Sequence, residues 1–172
     1  MNAYIYCGKS GNEVHKNLAR DVVIDLCEPV YGFHRDIMTD NFFTSHALAL
    51  ELLKRDITLL GTMRLNRKEI PDHLKQKRRD VLSSEFVYDH ENKIVMVSYI
   101  PKRNKNVVLL SSSHSGCEIV TSHNNKPQMI LDYNFGNKGV DQFDQNIEEY
   151  TCRRKTVRWP LLLFFNMVDI RS

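Results

Sequence analysis

The sequence lacks the features that would place its 172 residues in a secreted, membrane-bound or zinc-stabilised class. No basic segment followed by a long apolar stretch opens the chain, so we predict no signal peptide. The longest apolar run, residues 159–168, is too short and too interrupted to span a bilayer. We predict a buried helix there, with Pro160 in its first turn, and no membrane partner.

Cysteine is also scarce, with only Cys7, Cys27, Cys117 and Cys152. No two of them form a CxxC pair, and no histidine stands at zinc-finger spacing. We therefore predict no structural zinc, and four reduced, mostly buried thiols in an intracellular protein.

The sequence does contain enough apolar residues for a packed core, together with unevenly spread positive charge. Hydrophobic residues make up 42% and charged residues 26% of the chain, which is typical of one globular domain. The net charge is only +3, but basic residues cluster at Arg64, Arg67 and Lys68; at Lys75, Lys77, Arg78 and Arg79; at Lys102, Arg103 and Lys105; and at Arg153, Arg154, Lys155 and Arg158. Any one cluster is equally a solvated face, whereas several in one small chain favour a polyanion partner.

The first part of the chain alternates between strand and helix patterns. Strands are predicted at Asn2–Cys7, Arg35–Thr39 and Ile57–Met63. A helix is predicted over Ser45–Arg55, capped by Thr44 or Ser45, because leucines recur there at four-residue spacing. The apolar stretch Leu18–Leu26 leaves strand and helix open.

The middle of the chain is richer in strand patterns, after a charged loop or short helix over residues 66–80. Strands are predicted at Glu85–Asp89, Ile94–Ile100, Val107–Ser111 and Gln128–Tyr133, and a helix at Gly139–Tyr150. The order favours an α/β fold with a β-rich insertion, divided into residues 1–65, 66–127 and 128–172.

Three aspartates stand where a hard divalent cation could bind. Asp40 follows a predicted strand and precedes a helix, which places it at the carboxyl edge of a sheet. The alternative is an aspartate that caps the following turn. Asp141 and Asp144 are three residues apart on one helical face and could reach one cation. Their alternative is a pair of acids stabilised by a helix N-terminus.

Five segments, taken together, resemble the catalytic core of piggyBac-type DDE transposases. They are Asp40–Ser45 (DNFFTS), Gly61–Pro71 (GTMRLNRKEIP), Lys126–Asn134 (KPQMILDYN), Gly139–Gln145 (GVDQFDQ) and Thr151–Pro160 (TCRRKTVRWP). The resemblance implies an RNase H-like α/β domain with a β-rich insertion. It also implies that Asp40 is the second catalytic aspartate, that Asp141 is the third, and that Asp144 is an acidic neighbour.

The chemistry implied by the resemblance is DNA phosphoryl transfer assisted by two Mg²⁺ (or Mn²⁺) ions, held by Asp40, Asp141 and Asp144. The family's first catalytic aspartate should fall upstream of Met1, so we expect a domain truncated at its N-terminus and incomplete as an enzyme. The family's terminal cysteine-rich zinc module is not found, and Lys138 stands where many relatives have glycine. A non-catalytic DNA-binding or protein-interaction remnant is the alternative, and a product without a stable fold is a third.

DNA is accordingly the expected partner, and the nucleus is the expected location. Whether the protein forms a homodimer is left open. We predict that phosphates contact two basic groups: Arg64, Arg67 and Lys68, and Arg153, Arg154, Lys155 and Arg158. The alternative for each arginine is a surface ion pair. Trp159 is expected to pack in the core rather than stack on a base.

Overall fold

The structure is a computed structural model that describes residues 17–152 and 154–171. The strand predicted at Asn2–Cys7 lies outside the described residues. Contacts divide the chain into two compact units, with the division between Tyr133 and Asn134.

The first unit is built on one five-stranded mixed sheet. Its strands are β1 (Arg35–Thr39), β2 (Ile57–Met63), β3 (Ser84–Asp89), β4 (Ile94–Lys102) and β5 (Lys105–Ser111). Their order is β1-β2-β5-β4-β3. The pair β1–β2 is parallel, and the other three neighbouring pairs are antiparallel. The predictions of β1 and β2 are confirmed to the residue, and those of β3, β4 and β5 to within two residues at each end.

The strands of the β-rich segment therefore continue the same sheet as β2. β5 pairs with β2 from Leu60↔Ser111 to Met63↔Val108, and β4 and β3 follow outward. Two short strands, β6 (Ile119–Val120) and β7 (Lys126–Pro127), form a separate pair. The division of the chain into residues 1–65, 66–127 and 128–172 stays a prediction.

Two helices precede and follow β1. The segment Leu18–Leu26, for which the sequence left strand and helix open, lies in helix α1 (Leu18–Cys27). This helix buries Val23 and Cys27. Helix α2 (His46–Leu53) buries Leu48, Ala49 and Leu52. Its cap is Ser45, whose Oγ accepts a hydrogen bond from the backbone N–H of Leu48 at 3.1 Å. An N-cap hydroxyl of this kind typically stabilises a helix by about 1 kcal/mol.

The sheet carries a hydrophobic core on each face, and the alternation along β4 shows the division. Ile94 and Met96 belong to the core that includes α1 and α2, whereas Val95, Val97 and Tyr99 belong to the opposite core. Successive side chains of a strand point to opposite faces, so a strand buried on both sides is apolar throughout.

The strand predicted at Gln128–Tyr133 is wrong, because these residues begin helix α3 (Gln128–Glu149). Met129, Ile130 and Tyr133 pack together against the second core at helical spacing. Gln128 also donates a hydrogen bond from Nε2 to Oδ1 of Asp132 at 2.7 Å, a contact between residues four apart. Packing against the sheet thus selects a helix for this segment, although its composition suits a strand equally well.

The second unit contains most of α3 and helix α4 (Trp159–Arg171). The helix predicted near residues 159–168 is confirmed, but its predicted burial is wrong. Trp159 is 73% exposed and Phe164 58% exposed, so the expected core position of Trp159 is also wrong. Apolar residues occur on every side of α4, and two helices alone cannot cover them all. Within residues 17–152 and 154–171, no helix is long and apolar enough to cross a membrane.

Thr39 at the end of β1 faces Gly61 of β2 in the parallel register. A Cβ atom at Gly61 would lie 2.2 Å from Oγ1 of Thr44 and 2.6 Å from Oγ1 of Thr39. These two hydroxyls are themselves hydrogen-bonded at 2.7 Å. Glycine at this position therefore lets the segment after β1 fold back over β2.

Replacing Gly61 with alanine should destabilise the first unit, because the new methyl group has no room beside the two threonine hydroxyls. We expect the free energy of unfolding, from urea denaturation followed by circular dichroism, to fall by about 1–3 kcal/mol. The control is Gly139→Ala in α3, where nothing lies within 4 Å of the new Cβ. That variant should be neutral or up to ~1 kcal/mol more stable, as expected for alanine in a helix. Equal losses in both variants would show that the close approach is not the cause.

Candidate functional site

Asp40 begins a tight turn directly after β1. Its Oδ1 accepts hydrogen bonds from the backbone N–H groups of Phe42 at 2.9 Å and Phe43 at 3.4 Å. Among the residues that the structure describes, none donates to its other oxygen, Oδ2. One carboxylate oxygen of Asp40 thus caps the following turn, as the alternative interpretation predicted. The second oxygen of this exposed residue stays available to a ligand.

The turn after Asp40 is fastened to the sheet by Thr44. The backbone N–H and the hydroxyl of Thr44 both donate to the carbonyl oxygen of Asp40, at 3.1 and 2.7 Å. Thr44 is fully buried, and its hydroxyl also lies 2.7 Å from that of Thr39. Buried hydroxyls satisfied in this way fix the backbone on both sides of Asp40.

Arg64 and Arg67 follow β2 and reach the same turn. Arg64 donates from Nε to Oδ1 of Asn41 at 2.8 Å, and its guanidinium carbon lies 5.3 Å from the centre of the Phe42 ring. Arg67 donates from a terminal nitrogen to the carbonyl oxygen of Phe42 at 3.1 Å. Neither arginine is in an ion pair with a described carboxylate, so the surface ion-pair alternative does not hold for them in the part of the chain described here.

Beside the turn lies an open groove of about 650 Å³, whose wall has three basic residues and one acidic residue. It is lined by Leu18, Ala19, Phe42, Arg64, Asn66, Arg67, Lys68 and Glu69. All three basic residues predicted after β2 therefore face one groove. Such an open, cationic surface is suited to a polyanion rather than to a small apolar ligand.

Asp141 and Asp144 are exposed and lie in the second half of α3. Asp141 accepts a hydrogen bond from Nδ2 of Asn137 at 3.1 Å, one helical turn earlier. The alternative that the two acids stabilise a helix N-terminus is wrong, because α3 begins at Gln128 and the N-terminal field falls off within the first turn. Their shared face fits the predicted pair of oxygen ligands.

The basic segment between α3 and α4 contains Arg154, Lys155 and Arg158, all exposed, while Arg153 lies outside the described residues. Asp169 of α4 holds the start of this segment. Its two carboxylate oxygens accept hydrogen bonds from Oγ1 of Thr151 at 2.5 Å and from the backbone N–H of Cys152 at 2.8 Å. The carboxylate of Asp169, which also interacts with the side chain of Cys152, raises the pKa of the Cys152 thiol.

One residue of another basic cluster has a structural role. Arg79 is only 10% exposed, lies 2.9 Å from Oε2 of Glu85 and donates to the hydroxyl of Ser98. Glu85 and Ser98 face each other in the β3–β4 register. Arg79 thus ties the preceding loop to the sheet and is not part of a solvated basic face.

The donor chemistry of the three aspartates fits a hard divalent cation, since carboxylate oxygens are the ligands that Mg²⁺ prefers. Asp40 offers one open oxygen, and Asp141 and Asp144 are exposed. Within residues 17–152 and 154–171, however, no group of three or more histidine, cysteine or acidic side chains is gathered into a metal site. Among the described residues, the candidate carboxylates are therefore separate side chains and not a gathered set.

Sequence reasoning missed a polar network that links β5 to α3. His114 lies 2.8 Å from Oγ of Ser111 through Nδ1 and 2.9 Å from Oδ2 of Asp132 through Nε2. Although the three residue types are those of a hydrolase triad, Ser111 is fully buried and its Oγ accepts the N–H groups of Ser113 and His114. A nucleophile must reach substrate, so the network is structural, and only the spacing of serine and histidine hinted at it.

The prediction of mostly buried cysteines is wrong for two of the three that the structure describes. Cys27 is buried, and burial raises the pKa of its thiol, whereas Cys117 and Cys152 are exposed. Cys117 lies at 3.0 Å from the Tyr88 hydroxyl. This hydrogen bond, with partial burial, raises the pKa of Tyr88 to about 12. Loops that leave β5 and α3 carry these two thiols, which explains their exposure.

Comparison with known proteins identifies relatives along nearly the whole chain. A family model described as transposase IS4 matches residues 1–171. Human piggyBac transposable element-derived protein 3 is 27% identical over 187 residues, and human piggyBac transposable element-derived protein 2 is 27% identical over 137 residues. These matches cover 95% and 72% of this chain.

A solved structure is also similar. It is the cryo-EM structure of a piggyBac transposase synaptic complex with hairpin DNA, at 42% identity and a TM-score of 0.85 over 96% of this chain. The chain spans 34% of that protein, and 31% and 23% of the two human relatives. The match at this level supports the mixed α/β architecture with its mostly antiparallel central sheet.

Replacing His114 with alanine should weaken the attachment of α3 to β5, because the imidazole that joins the buried Ser111 hydroxyl to Oδ2 of Asp132 is lost. We expect the free energy of unfolding to fall by about 1–3 kcal/mol, as for other buried groups left unpaired. His123→Ala is the matched control, since His123 is exposed and bonds only to the neighbouring Ser122 hydroxyl among described residues. An unchanged unfolding midpoint for His114→Ala would show that the network does not stabilise the fold.

Proposed function

Since the chain belongs to the piggyBac-type transposases of the transposase IS4 family, we propose that Asp40, Asp141 and Asp144 bind divalent metal ions and that basic residues of the chain hold DNA. It is a transposase-derived domain, and it spans about a third or less of the relatives it matches. The whole enzyme's DNA strand cleavage and transfer, on an RNase H-like scaffold, are part of the proposal.

The turn at Asp40 is the observation that carries the proposal. Its position at the carboxyl end of β1 is the place where open α/β sheets bind ligands. One carboxylate oxygen of Asp40 accepts hydrogen bonds from the N–H groups of Phe42 and Phe43, which fixes the direction of the other oxygen. A basic groove runs beside it, so a carboxylate and phosphate-binding groups occur at one edge of the sheet.

The family implies a divalent cation, and we propose that this cation is Mg²⁺ or Mn²⁺. When bound, two such ions polarise the scissile phosphate and lower the pKa of an attacking water or 3′-hydroxyl. In this chain Asp40 and Asp141 would each donate a carboxylate oxygen, with Asp144 as a further ligand one helical turn from Asp141. The residue types are those expected for phosphoryl transfer, in which positioning and charge neutralisation provide most of the catalysis.

The basic residues have the complementary role of holding the DNA backbone. We propose that Arg64, Arg67 and Lys68 in the groove, and Arg153, Arg154, Lys155 and Arg158 in the segment before α4, contact phosphates. The similar solved structure is a complex with hairpin DNA, which supports DNA as the ligand here. A nuclear location and a homodimer also belong to the proposal, since the substrate is DNA and the similar structure is a synaptic complex.

The proposal predicts that Asp40→Asn and Asp141→Asn each weaken Mn²⁺ binding, because each removes a charged oxygen ligand. Even the outer-shell partners of metal ligands typically contribute tenfold or more to affinity, so we expect a loss of about tenfold at least. The measurement is Mn²⁺ titration followed by EPR on the 172-residue chain, alone and with a DNA duplex. Asp80→Asn, which removes an exposed carboxylate of the first unit, is the control. Equal affinity in all three variants would contradict the metal assignment, and DNA binding without any Mn²⁺ site would favour the non-catalytic remnant.

A second prediction concerns the segment before α4. Replacing Arg154, Lys155 and Arg158 with glutamine should lower the slope of log K against log salt for duplex DNA by about 2–3, since each phosphate contact contributes about 0.9. The matched control replaces Lys102, Arg103 and Lys105, three exposed basic residues at the β4–β5 turn. Fluorescence anisotropy across a salt series gives both slopes. Equal reductions in the two triple variants would point to general attraction by net charge and contradict a specific DNA-binding segment.

A further inference from the structure

We infer that Arg64 and Arg67 are positioning residues, which hold the turn that aims the carboxylate of Asp40. Their described hydrogen bonds go to that turn, to Oδ1 of Asn41 at 2.8 Å and to the carbonyl oxygen of Phe42 at 3.1 Å. The inference rests on the proposed function in one respect only, that Asp40 is a metal ligand. It goes beyond phosphate binding because it assigns the two arginines a task in the absence of DNA.

Phe42 is the residue through which the arginines act on Asp40. Its backbone N–H donates to Oδ1 of Asp40 at 2.9 Å, and its carbonyl oxygen accepts from Arg67. Its ring lies under the Arg64 guanidinium, 5.3 Å from centroid to carbon. Phe42 is thus fixed at both ends of its backbone and through its side chain, although the residue is 45% exposed.

The fold brings the two arginines to this position by a simple route. β1 and β2 are parallel neighbours, so the segments that follow them leave the sheet at the same edge. A tight turn follows β2, in which the N–H of Arg67 donates to the carbonyl oxygen of Arg64 at 3.0 Å. Both side chains therefore project from one turn toward the other.

Arginine is suited to this task in a way that lysine is not. A planar guanidinium can donate from Nε to an amide oxygen while its face lies over an aromatic ring. Arg64 does both at once, with Asn41 and Phe42. A lysine at the same position keeps the charge and attracts phosphate, but it loses this combination of contacts. Charge and positioning can therefore be separated by the conservative substitution.

Preorganisation explains why the contact matters for a metal ligand. A carboxylate that must first be ordered loses affinity for its ligand by the free energy of ordering. The hydrogen bonds of Asp40 Oδ1 restrict the carboxylate, and Arg64 and Arg67 restrict the residues that donate those bonds. Loosening the turn should thus weaken metal binding without removing any ligand.

The test compares Arg64→Lys and Arg67→Lys with the native chain, all without DNA. We expect backbone amide hydrogen exchange at Phe42, Phe43 and Thr44, measured by NMR, to become faster on the order of tenfold, the amount typical for loss of a charged hydrogen bond. The same variants should bind Mn²⁺ several-fold more weakly by EPR, with an unchanged thermal midpoint for the sheet.

Lys68→Gln is the matched control, because Lys68 lines the same groove and none of the described hydrogen bonds to the turn involves it. It should leave amide exchange and Mn²⁺ affinity unchanged, and it should lower the salt slope of DNA binding by about 1.

The outcomes separate the inference from the proposed function. Unchanged amide exchange in both lysine variants would overturn the inference. If Asp40→Asn binds Mn²⁺ weakly, lysine variants that show faster exchange but native Mn²⁺ affinity would overturn it as well. If Asp40→Asn has native Mn²⁺ affinity, the metal assignment fails, and faster exchange in the lysine variants then still supports the hold on the turn.

Discussion

The close approach of β1 and β2 at Thr39 and Gly61 is the constraint on which the candidate site depends. Because Gly61 carries no side chain, the hydroxyls of Thr39 and Thr44 can meet above it and fasten the chain as it leaves β1. Asp40 lies between these two threonines in the sequence, so their fixed positions also restrict its backbone. The position of the Asp40 carboxylate thus depends on the absence of a side chain at Gly61, on the neighbouring strand β2.

Positive charge in this protein serves two physical purposes that composition alone does not separate. Arg79 is nearly buried and ties a loop to the β3–β4 pair through Glu85 and Ser98. Arg154, Lys155 and Arg158 are exposed, and the segment that bears them is held at its start by Asp169. Arg64 and Arg67 combine the two, since they bind the turn at Asp40 and line an open groove. Sequence clusters therefore mark where charge occurs, and contacts decide what it does.

The sequence was sufficient for elements whose patterns are local. β1 was predicted to the residue as a short segment that ends at Asp40, and β2 as the apolar run ITLLGTM. Helix α2 was predicted because leucines recur four residues apart behind Ser45. It failed at Gln128–Tyr133, where only packing against the sheet selects the helix. It could not reveal the contact between Arg64 and Asn41, which are 23 positions apart, or the exposure of Trp159. The metal and DNA-binding roles of the candidate residues stay predictions, since they depend on ligands as well as on the fold.

The strand order also has a consequence for the order in which the strands pair during folding. Pairs β3–β4 and β4–β5 are hairpins that join residues close in sequence, such as Asp89 with Ile94 and Lys102 with Lys105. Pairing β2 with β5 instead closes a loop from Leu60 to Ser111, and its entropic cost is higher. Pairing β1 with β2 closes only the stretch from Arg35 to Ile57, so we expect this pair and the three-stranded meander to form before β2 joins β5. The seam between β2 and β5, where the two halves of the sheet meet, would then be the last part of the sheet to assemble.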